Sequence, residues 1–506
     1  MSAQDGPKQE TATPHLKVLL EMRGALSGNA GIPQETRLMF RGLSALDGVA
    51  VAGLLQHPTR VLPRGLELVR QGGSVRETRD AQLNRLGRIV ITFEQKYWDS
   101  KLRAYGHTTL MALWHLIGGR QKLTRFEAAH FRDFLWRRFF AQTLPPTDFE
   151  LVTSGDFRVV REPWNAMQIC AVVTRKMGYP SLFPRLDTRE FDVFIAETPY
   201  PGSVAKGTNF VVRYHDAIPL TMPHTISDKR WHHAFHYHAL RRNVSDGAWF
   251  VCVSDATRKD LVSLFPQAEP RSLTIHNMVS HEYFDDAASP VRIPQIIRTR
   301  LNSEITPTLD ASFTRRIFAD DALEPFDYLL VVSTVEPRKN HETLLAAWEK
   351  LRAERFPKLK LLVVGKLGWH HTEIVDKFRP WMERGEAFFL TKVPSSDLRL
   401  LYKYASATVC PSYGEGFDFS GVEAMRSAGA VVASDIPVHR EVYIDAAEYF
   451  NPYSVDDLVR AVEHVVAPTA KARRDELIAK GISVSSRYTS DVILPQWESF
   501  LQNLLR

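Results

Sequence analysis

Short runs of β-branched and aliphatic residues alternate with helix-period stretches through the second half of this 506-residue chain. Residues 328–334, 360–365, 387–393, 407–411 and 431–435 predict strands; helices are predicted over 340–351 and 396–405 and from about residues 370 and 420. Strands alternating with helices at these lengths predict a parallel sheet covered on both faces. Leu344, Trp348 and Leu351 recur at i, i+4 and i+7, which gives that helix one core-facing stripe. Asn340 is placed to cap its start, and Gly429 to stop the helix that begins near Ser420.

The first half begins in the same way, with a strand over 16–20, a loop through Gly28 and Gly31, and a helix from about Pro33. Further strands are predicted at 193–196, 209–213, 249–253 and 273–276. Residues from about 75 to 165 read as a helical insertion. Within it, 122–140 carries five Lys or Arg against two acids, interleaved with Phe131, Phe134, Leu135 and Phe139. Such a stripe faces the core, a membrane or a partner helix.

The expected organisation is a disordered tail over 1–13, an N-terminal domain over 14–285, a linker over 286–325 without sustained periodicity, a second domain over 326–480, and a C-terminal helix over 481–506 packing back toward the first domain. There is no internal repeat. The polar start lacks the apolar core of a signal peptide, and no run of about 18 apolar residues suggests a spanning helix, so a cytoplasmic chain is expected. Cys170, Cys252 and Cys410 lie far apart in apolar surroundings, which predicts buried thiols. The net charge of +6 favours phosphorylated ligands or an anionic membrane surface and does not by itself indicate nucleic acid.

The most informative stretch runs from Glu415 through Gly416, Phe417, Asp418, Phe419 and Ser420 to Glu423. An ionised carboxylate only accepts hydrogen bonds and can hold two neighbouring sugar hydroxyls. Between the two glutamates, a glycine-bearing turn into a helix offers backbone N–H groups to phosphate. A ligand with hydroxyls at both ends and phosphates in the middle is a nucleotide sugar. Upstream, Glu336-Pro337-Arg338-Lys339-Asn340 follows a predicted strand, so two cations sit at the sheet edge where open α/β folds bind ligands. Cations there can neutralise a pyrophosphate leaving group. No D-x-D pair of the kind that binds a metal in metal-dependent transferases was recognised.

Together with Ala424-Met425-Arg426 and the run on to Val442, these motifs resemble the donor domain of retaining glycosyltransferases of the GT-B fold, glycosyltransferase family 4. The likeness covers about 328–465 well and the N-terminal half only at scattered points. It implies an α/β protein of two Rossmann-like domains with parallel sheets facing a cleft, the first binding acceptor and the second binding donor. It also implies a reaction without metal or cofactor, the nucleotide sugar being a substrate.

By the same resemblance, Glu415 contacts the transferred sugar and Glu423 the ribose hydroxyls. Gly416, Phe417, Asp418 and Phe419 line the sugar and phosphates, and Lys339 meets the pyrophosphate. Many relatives carry an arginine near the position of Ser333, and here that role either passes to Arg338 or is absent. Asp418 stands where relatives often have glycine, which makes it either a determinant of sugar choice or a structural contact. His215 is similar to a strand-end histidine near the reacting carbon, with Asp216 orienting it or binding acceptor. Gly28, Asn29 and Gly31 form a loop that either contacts acceptor and phosphate or is an ordinary tight turn; it is not a G-x-G-x-x-G fingerprint. His232 and His236 share a helix face but lack an H-E-x-x-H glutamate, so acceptor-facing aromatics are preferred there to a metal. Ser254 reads as a helix cap.

The motifs look most like bacterial mannosyltransferases that build surface polysaccharides. The expected reaction is transfer of a hexose, mannose first, from GDP-mannose to a hydroxyl of a glycan or lipid-linked glycan, with the enzyme held peripherally at the inner membrane face. The alternatives are another UDP-, GDP- or dTDP-sugar, a non-catalytic sugar-nucleotide-binding module, a sugar-nucleotide epimerase or phosphorylase, and a dinucleotide oxidoreductase.

Overall fold

The structure is a computed structural model that describes residues 16–26, 28, 31–66, 79–95, 101–176, 181–227, 229–306 and 326–505. Asn29 and the expected tail lie outside the described residues, as do parts of the expected insertion and linker. The described residues divide into two compact units, those of 1–28, 36–212 and 497–506, and those of 29–35 and 213–496.

In the first unit, the strands run in the order β3 (Leu123–Phe126), β4 (Asp156–Val160), β2 (Val49–Leu55), β1 (Leu16–Glu21), β5 (Val193–Ala196) and β6 (Asn209–Tyr214). All these pairs are parallel except β3 with β4. The division between units falls within β6. Helices α1 (Ile32–Ser44), α2 (Arg79–Glu94), α3 (Lys101–Leu116) and α4 (Trp164–Lys176) belong to this part of the chain, the first turn of α1 being counted with the second unit. Buried Trp497 sits in the C-terminal segment, and the Asn209 side chain donates to the Leu504 carbonyl at 3.1 Å, which ties that segment to β6.

The region expected as a helical insertion contains β3, β4 and a π-helical turn at Trp136–Phe140 besides its helices. The basic-aromatic stripe does not form one amphipathic helix. Phe134, Leu135, Phe139 and Phe140 are all buried, and Phe134 meets Phe139 edge to face at 6.1 Å. A π turn adds a residue to the helical period, so side chains counted at normal helical spacing turn inward.

The second unit contains the parallel pair β7 (Trp249–Cys252) and β8 (Ser272–Thr274) and a six-stranded parallel sheet. Its order is β11 (Ala387–Leu390), β10 (Lys360–Val364), β9 (Tyr328–Val332), β12 (Ala407–Cys410), β13 (Val431–Ser434) and β14 (Ala447–Phe450). Successive residues alternate between two cores, Leu330 and Leu362 packing on one face and Leu329, Val331, Leu361 and Val363 on the other. Burial on both faces explains why these strands read as unbroken apolar runs. The helices used below are α5 (Lys229–Ser245), α6 (Asp255–Leu264), α7 (Ile293–Arg300), α8 (His341–Glu354), α9 (His371–Glu383), α10 (Ser395–Tyr404), α11 (Phe419–Arg426) and α12 (Pro437–Tyr443).

Three local expectations are corrected. The segment expected as linker contains α7, whose Ile293, Ile296 and Ile297 are buried in the core, because its short apolar stripe is too brief to stand out by periodicity. Asn340 adopts φ 56° and its side chain makes no cap to α8; it donates instead to the carbonyls of Pro411 and Pro452 at 3.0 and 2.9 Å, pinning the start of α8 to the loops after β12 and β14. Past α11 the left-handed residue is Ala428, φ 59°, while a Cβ at Gly429 would lie 2.5 Å from the Tyr402 carbonyl, so that glycine serves close packing. All three cysteines are free and buried.

Candidate functional site

At the C-terminal ends of β9 and β12, the two principal motifs meet within the second unit. Arg338 donates to Glu415 Oε2 at 2.8 Å, to the Gly414 carbonyl at 2.6 Å and to Glu336 Oε1 at 2.9 Å. Lys339 Nζ reaches Glu415 Oε1 at 2.5 Å. One cation therefore takes each carboxylate oxygen, in a place where the Glu415 side chain is only 7% exposed. Burial by itself would raise the Glu415 pKa, but Arg338 and Lys339 outweigh it and hold the carboxyl below its ordinary range. For Arg338, burial opposes the charge, and Glu415, Glu336 and Asp216 more than offset it, so its pKa is raised.

The next residue joins a third motif to these two. A Cβ on Gly416 would lie 1.8 Å from the His215 carbonyl oxygen, so only glycine permits this approach. His215 and Asp216 follow β6, and Asp216 Oδ1 accepts from the Ile218 N–H at 3.0 Å, closing the turn into the short helix Ile218–Thr221. Burial raises the Asp216 pKa against the pull of Arg338. Thr257, capped by Ser254 at the start of α6, donates to the Gly416 carbonyl at 3.3 Å.

Asp418 occupies a left-handed position, φ 62°, at the N-cap of α11. Its Oδ1 accepts from the Ser420 N–H at 3.1 Å and the Ser420 hydroxyl at 2.6 Å, and its Oδ2 faces His439 Nε2 at 3.1 Å. Burial would raise this carboxyl too, but the hydrogen bond from His439 and the charge of Lys339 hold it well below the usual range. Phe417 and Phe419 are buried and stack edge-on at 5.3 Å, with Tyr488 a further 5.2 Å from Phe417, so their rings hold the loop from beneath.

Among the described residues, no cation pairs with Glu423, one turn into α11. Gln34 Nε2 donates to one of its oxygens at 2.9 Å and the Tyr402 hydroxyl to the other at 3.0 Å. Burial raises its pKa to about 7, against the lowering effect of Gln34, Tyr402 and Tyr283. Gln34 is three residues beyond Gly31, so the start of α1 reaches this carboxylate. Gly28 and Gly31 have φ 93° and 69°, and the Gly28 carbonyl accepts from buried Arg37 at 2.8 Å.

Arg338, Lys339, Glu415, Gly416, Asp418 and Glu423 thus fall in one region with His215 and Asp216. Sequence reasoning missed Gln34, Tyr283, Tyr402 and His439. His439 stood inside the run that carried the family resemblance; the other three lie on separate elements, and nothing local marks them. On α5, burial lowers the His236 pKa to about 3, which leaves a neutral imidazole among rings. Among the described residues, no group of three or more His, Cys, Asp or Glu side chains is arranged to hold a metal ion.

Residues 314–482 match the family described as Glycosyl transferases group 1. The chain is similar to the serotype-specific mannosyltransferase WbdA of Escherichia coli, 32% identical over 182 residues, covering 34% of this chain and 22% of WbdA. It is 29% identical over 218 residues to the O-antigen chain mannosyltransferase B of the same organism, covering 43% of this chain and 51% of that protein. The chain therefore spans about a fifth to a half of the length of these curated relatives. In fold it is similar to sucrose-phosphate synthase from Thermosynechococcus elongatus, with TM-score 0.55, 14% identity, and 97% and 99% of the two chains covered. The fold is mixed α/β with parallel sheets, of the GT-B type. The family match thus lies in the second half of the chain, the part that holds the Glu336–Asn340 and Glu415–Glu423 motifs, and the chain is similar there to mannosyltransferases.

Proposed function

We propose that the chain is a retaining hexosyltransferase that moves mannose from GDP-mannose to a hydroxyl of a glycan or lipid-linked glycan in surface polysaccharide synthesis, at the cytoplasmic membrane face. The observation that carries this reading is the clamp of Arg338 and Lys339 on Glu415, beside His215, at the ends of parallel strands. Its support is the mannosyltransferase likeness of the relatives.

In this reading the acceptor oxygen forms a bond to the anomeric carbon on the face from which the nucleotide leaves. The bond from that carbon to the diphosphate oxygen breaks, and the departing oxygen takes the acceptor proton. No protein base is required, so the protein's contribution is position and charge. Arg338 and Lys339 stabilise the growing negative charge on the diphosphate, while Glu415 accepts from hydroxyls of the transferred sugar. Glu423 accepts from the ribose hydroxyls, and backbone groups from Gly416 to Phe419 border the phosphates. His215 donates near the reacting carbon with Asp216 behind it. Residues 326–480 supply donor binding and 14–285 acceptor binding, with Gly28, Asn29 and Gly31 on the acceptor or phosphate loop. Chemistry in this reading needs no metal.

The test is a panel of GDP-, UDP- and dTDP-sugars assayed for hydrolysis and transfer, with and without excess chelator, in wild type and Glu415→Ala. The expected result is turnover of GDP-mannose that survives chelation and falls by about 100-fold or more in the variant, the size seen when transition-state contacts are removed. Turnover of a different sugar nucleotide replaces the donor assignment. Loss of all activity on chelation overturns the metal-independent step, and unchanged activity in Glu415→Ala overturns the site.

A further inference from the structure

An open cavity of about 550 Å³ lies on the same C-terminal sheet edge as the clamp, past β12, at the ends of β13 and β14. Its walls come from other residues than the two glutamates and the cations of the clamp. It shares their scaffold all the same. The N–H of Tyr413, on its wall, donates to the Arg338 carbonyl at 3.0 Å, and the Asn340 side chain holds the carbonyls of Pro411 and Pro452.

These walls suit a sugar ring. Tyr453 is 77% exposed, and its ring stacks on Tyr413 at 5.0 Å and 25°, so one face is supported from behind and the opposite face is open. A flat ring held in this way offers contact area at little cost in side-chain freedom. Two acid–arginine pairs border the same cavity. Arg440 donates through Nε and Nη2 to the two oxygens of Asp435 at 2.6 and 2.7 Å. Arg460 Nε donates to Asp457 Oδ1 at 2.7 Å, while the Asn451 N–H holds Oδ2 at 2.7 Å. The Tyr449 ring lies 3.8 Å from the Arg440 guanidinium and its carbonyl accepts from Arg460 at 3.1 Å, so both guanidinium groups are fixed in place. Each pair keeps capacity for a ligand, because a carboxylate oxygen accepts a second bond and a guanidinium has more N–H donors than its carboxylate takes.

We infer that this cavity binds a neutral hexose chain, one sugar ring stacked on Tyr453 and its hydroxyls shared between the Asp435–Arg440 and Asp457–Arg460 pairs. A pyranose has a C–H face that packs on an aromatic ring and a rim of hydroxyls that donate and accept, so it uses both members of each pair. Charge balance selects this occupant. A phosphate meets two carboxylates as well as two arginines, and an apolar ligand covers both pairs without bonding to them. A nucleotide base also stacks on tyrosine. The side chains around Glu423, however, are Gln34 from α1 and Tyr402 from α10, neither of them on this cavity, so the ribose end of the proposed donor site lies elsewhere. In a transferase that extends a glycan, such a site holds a stretch of chain away from the reacting end, and for that role the inference rests on the proposed function. Oligosaccharide binding is measured without any sugar nucleotide, so its failure and failure of the transferase reading are distinguishable.

The experiment is a ligand-observed NMR titration of the full chain with α-linked mannotetraose, with maltotetraose, and with tetragalacturonate, which is charged at every unit. Wild type is expected to bind at least one of the neutral chains at millimolar concentration and not to bind tetragalacturonate over the same range. Tyr453→Ala is expected to weaken binding about tenfold, the upper end of what one stacked ring contributes, whereas Tyr453→Phe keeps the ring face and binds as wild type. Asp435→Asn, a second change at an exposed position, weakens it roughly threefold. GDP affinity is expected to be the same in wild type and Tyr453→Ala, and circular dichroism verifies that the variants fold. Absence of binding by either neutral chain, binding unaltered in Tyr453→Ala or in Asp435→Asn, or equal binding of tetragalacturonate overturns the inference. So does a GDP affinity that falls about tenfold in Tyr453→Ala, because the ring then stacks a base in place of a sugar.

Discussion

The two ends of the Glu415–Glu423 segment present the same functional group in opposite electrostatic settings. Glu415 gives each oxygen to a cation and is held ionised. Glu423, equally enclosed, is met among the described residues by an amide and tyrosine hydroxyls and no cation, and burial raises its pKa to about 7. Neutral donors can satisfy a carboxylate's geometry without offsetting the cost of burying its charge. One end of the site is therefore a rigid ion cluster; the other is a titratable acceptor whose charge a ligand can draw out.

The largest expected effect is at the clamped end. Arg338→Ala leaves Glu336 and Glu415 without their shared partner, and breaking a buried pair in this way costs about 3–5 kcal/mol. Arg338→Lys retains charge but not the forked contact to Glu415, Gly414 and Glu336, so it is expected to recover only part of the loss. Urea unfolding at neutral pH reads both. An Arg338→Ala protein within about 1 kcal/mol of wild type would mean that the cluster is no clamp.

At the neutral end the effect is of similar size and opposite sign in pH. The folded pKa of Glu423 lies above its unfolded value, so its favourable contribution is complete below pH 4.5 and lost as pH rises through about 7. A shift from 4.5 to about 7 is worth about 3 kcal/mol. Glu415, whose folded pKa is lowered, contributes above its unfolded value and loses that contribution as pH falls through the folded one. Glu423→Gln is expected to remove the decline in stability between pH 5 and 8 while leaving the acid limb governed by Glu415. If Glu423 accepts from ribose, GDP affinity measured by calorimetry also falls about tenfold from pH 8 to pH 6 in wild type and is flat in the variant. A wild-type affinity independent of pH in this range would remove Glu423 from the ribose.

The difference between the ends was only half legible in the sequence. Glu336, Arg338, Lys339 and Glu415 lie in two short motifs on adjacent parallel strands, and the sheet edge brings such motifs together by topology alone. The neutral end depends on Gln34 and Tyr402, which come from the start of α1 and from α10, and only the fold places them at Glu423. The same contrast applies to the elements. The strands of the second sheet are apolar on both sides and announced themselves. β14, with Glu448 and Tyr449 half-exposed at its edge, did not; nor did β3, hidden in a stretch whose charges and aromatics imitate an amphipathic helix, or β4, where Asp156 and Arg158 interrupt the apolar run. Asn340 has the residue type and position of a cap, but a left-handed backbone turns its amide toward Pro411 and Pro452 instead.

Asp418, between the two ends, gives the smallest and most discriminating effect. Both of its oxygens are engaged, one capping α11 through Ser420 and the other facing His439, and its backbone is left-handed. Each carboxylate oxygen keeps a second lone pair, as at Glu415 and Glu423, so these contacts alone do not assign the role. A residue that selects the sugar changes donor preference when replaced, whereas one that only holds the loop changes stability. Alanine loses the cap and strains the backbone, together about 2 kcal/mol. Glycine loses the cap but relieves the strain, and asparagine tolerates the conformation and keeps a capping oxygen, so each is expected to cost about 1 kcal/mol or less. The order Ala above Gly and Asn in destabilisation, with the ranking of sugar nucleotides unchanged across all three, is the signature of a structural contact. If Asp418→Asn alters which sugar is preferred while stability hardly moves, the carboxylate reaches the donor, and the line between the ionised and neutral ends runs through the sugar site itself.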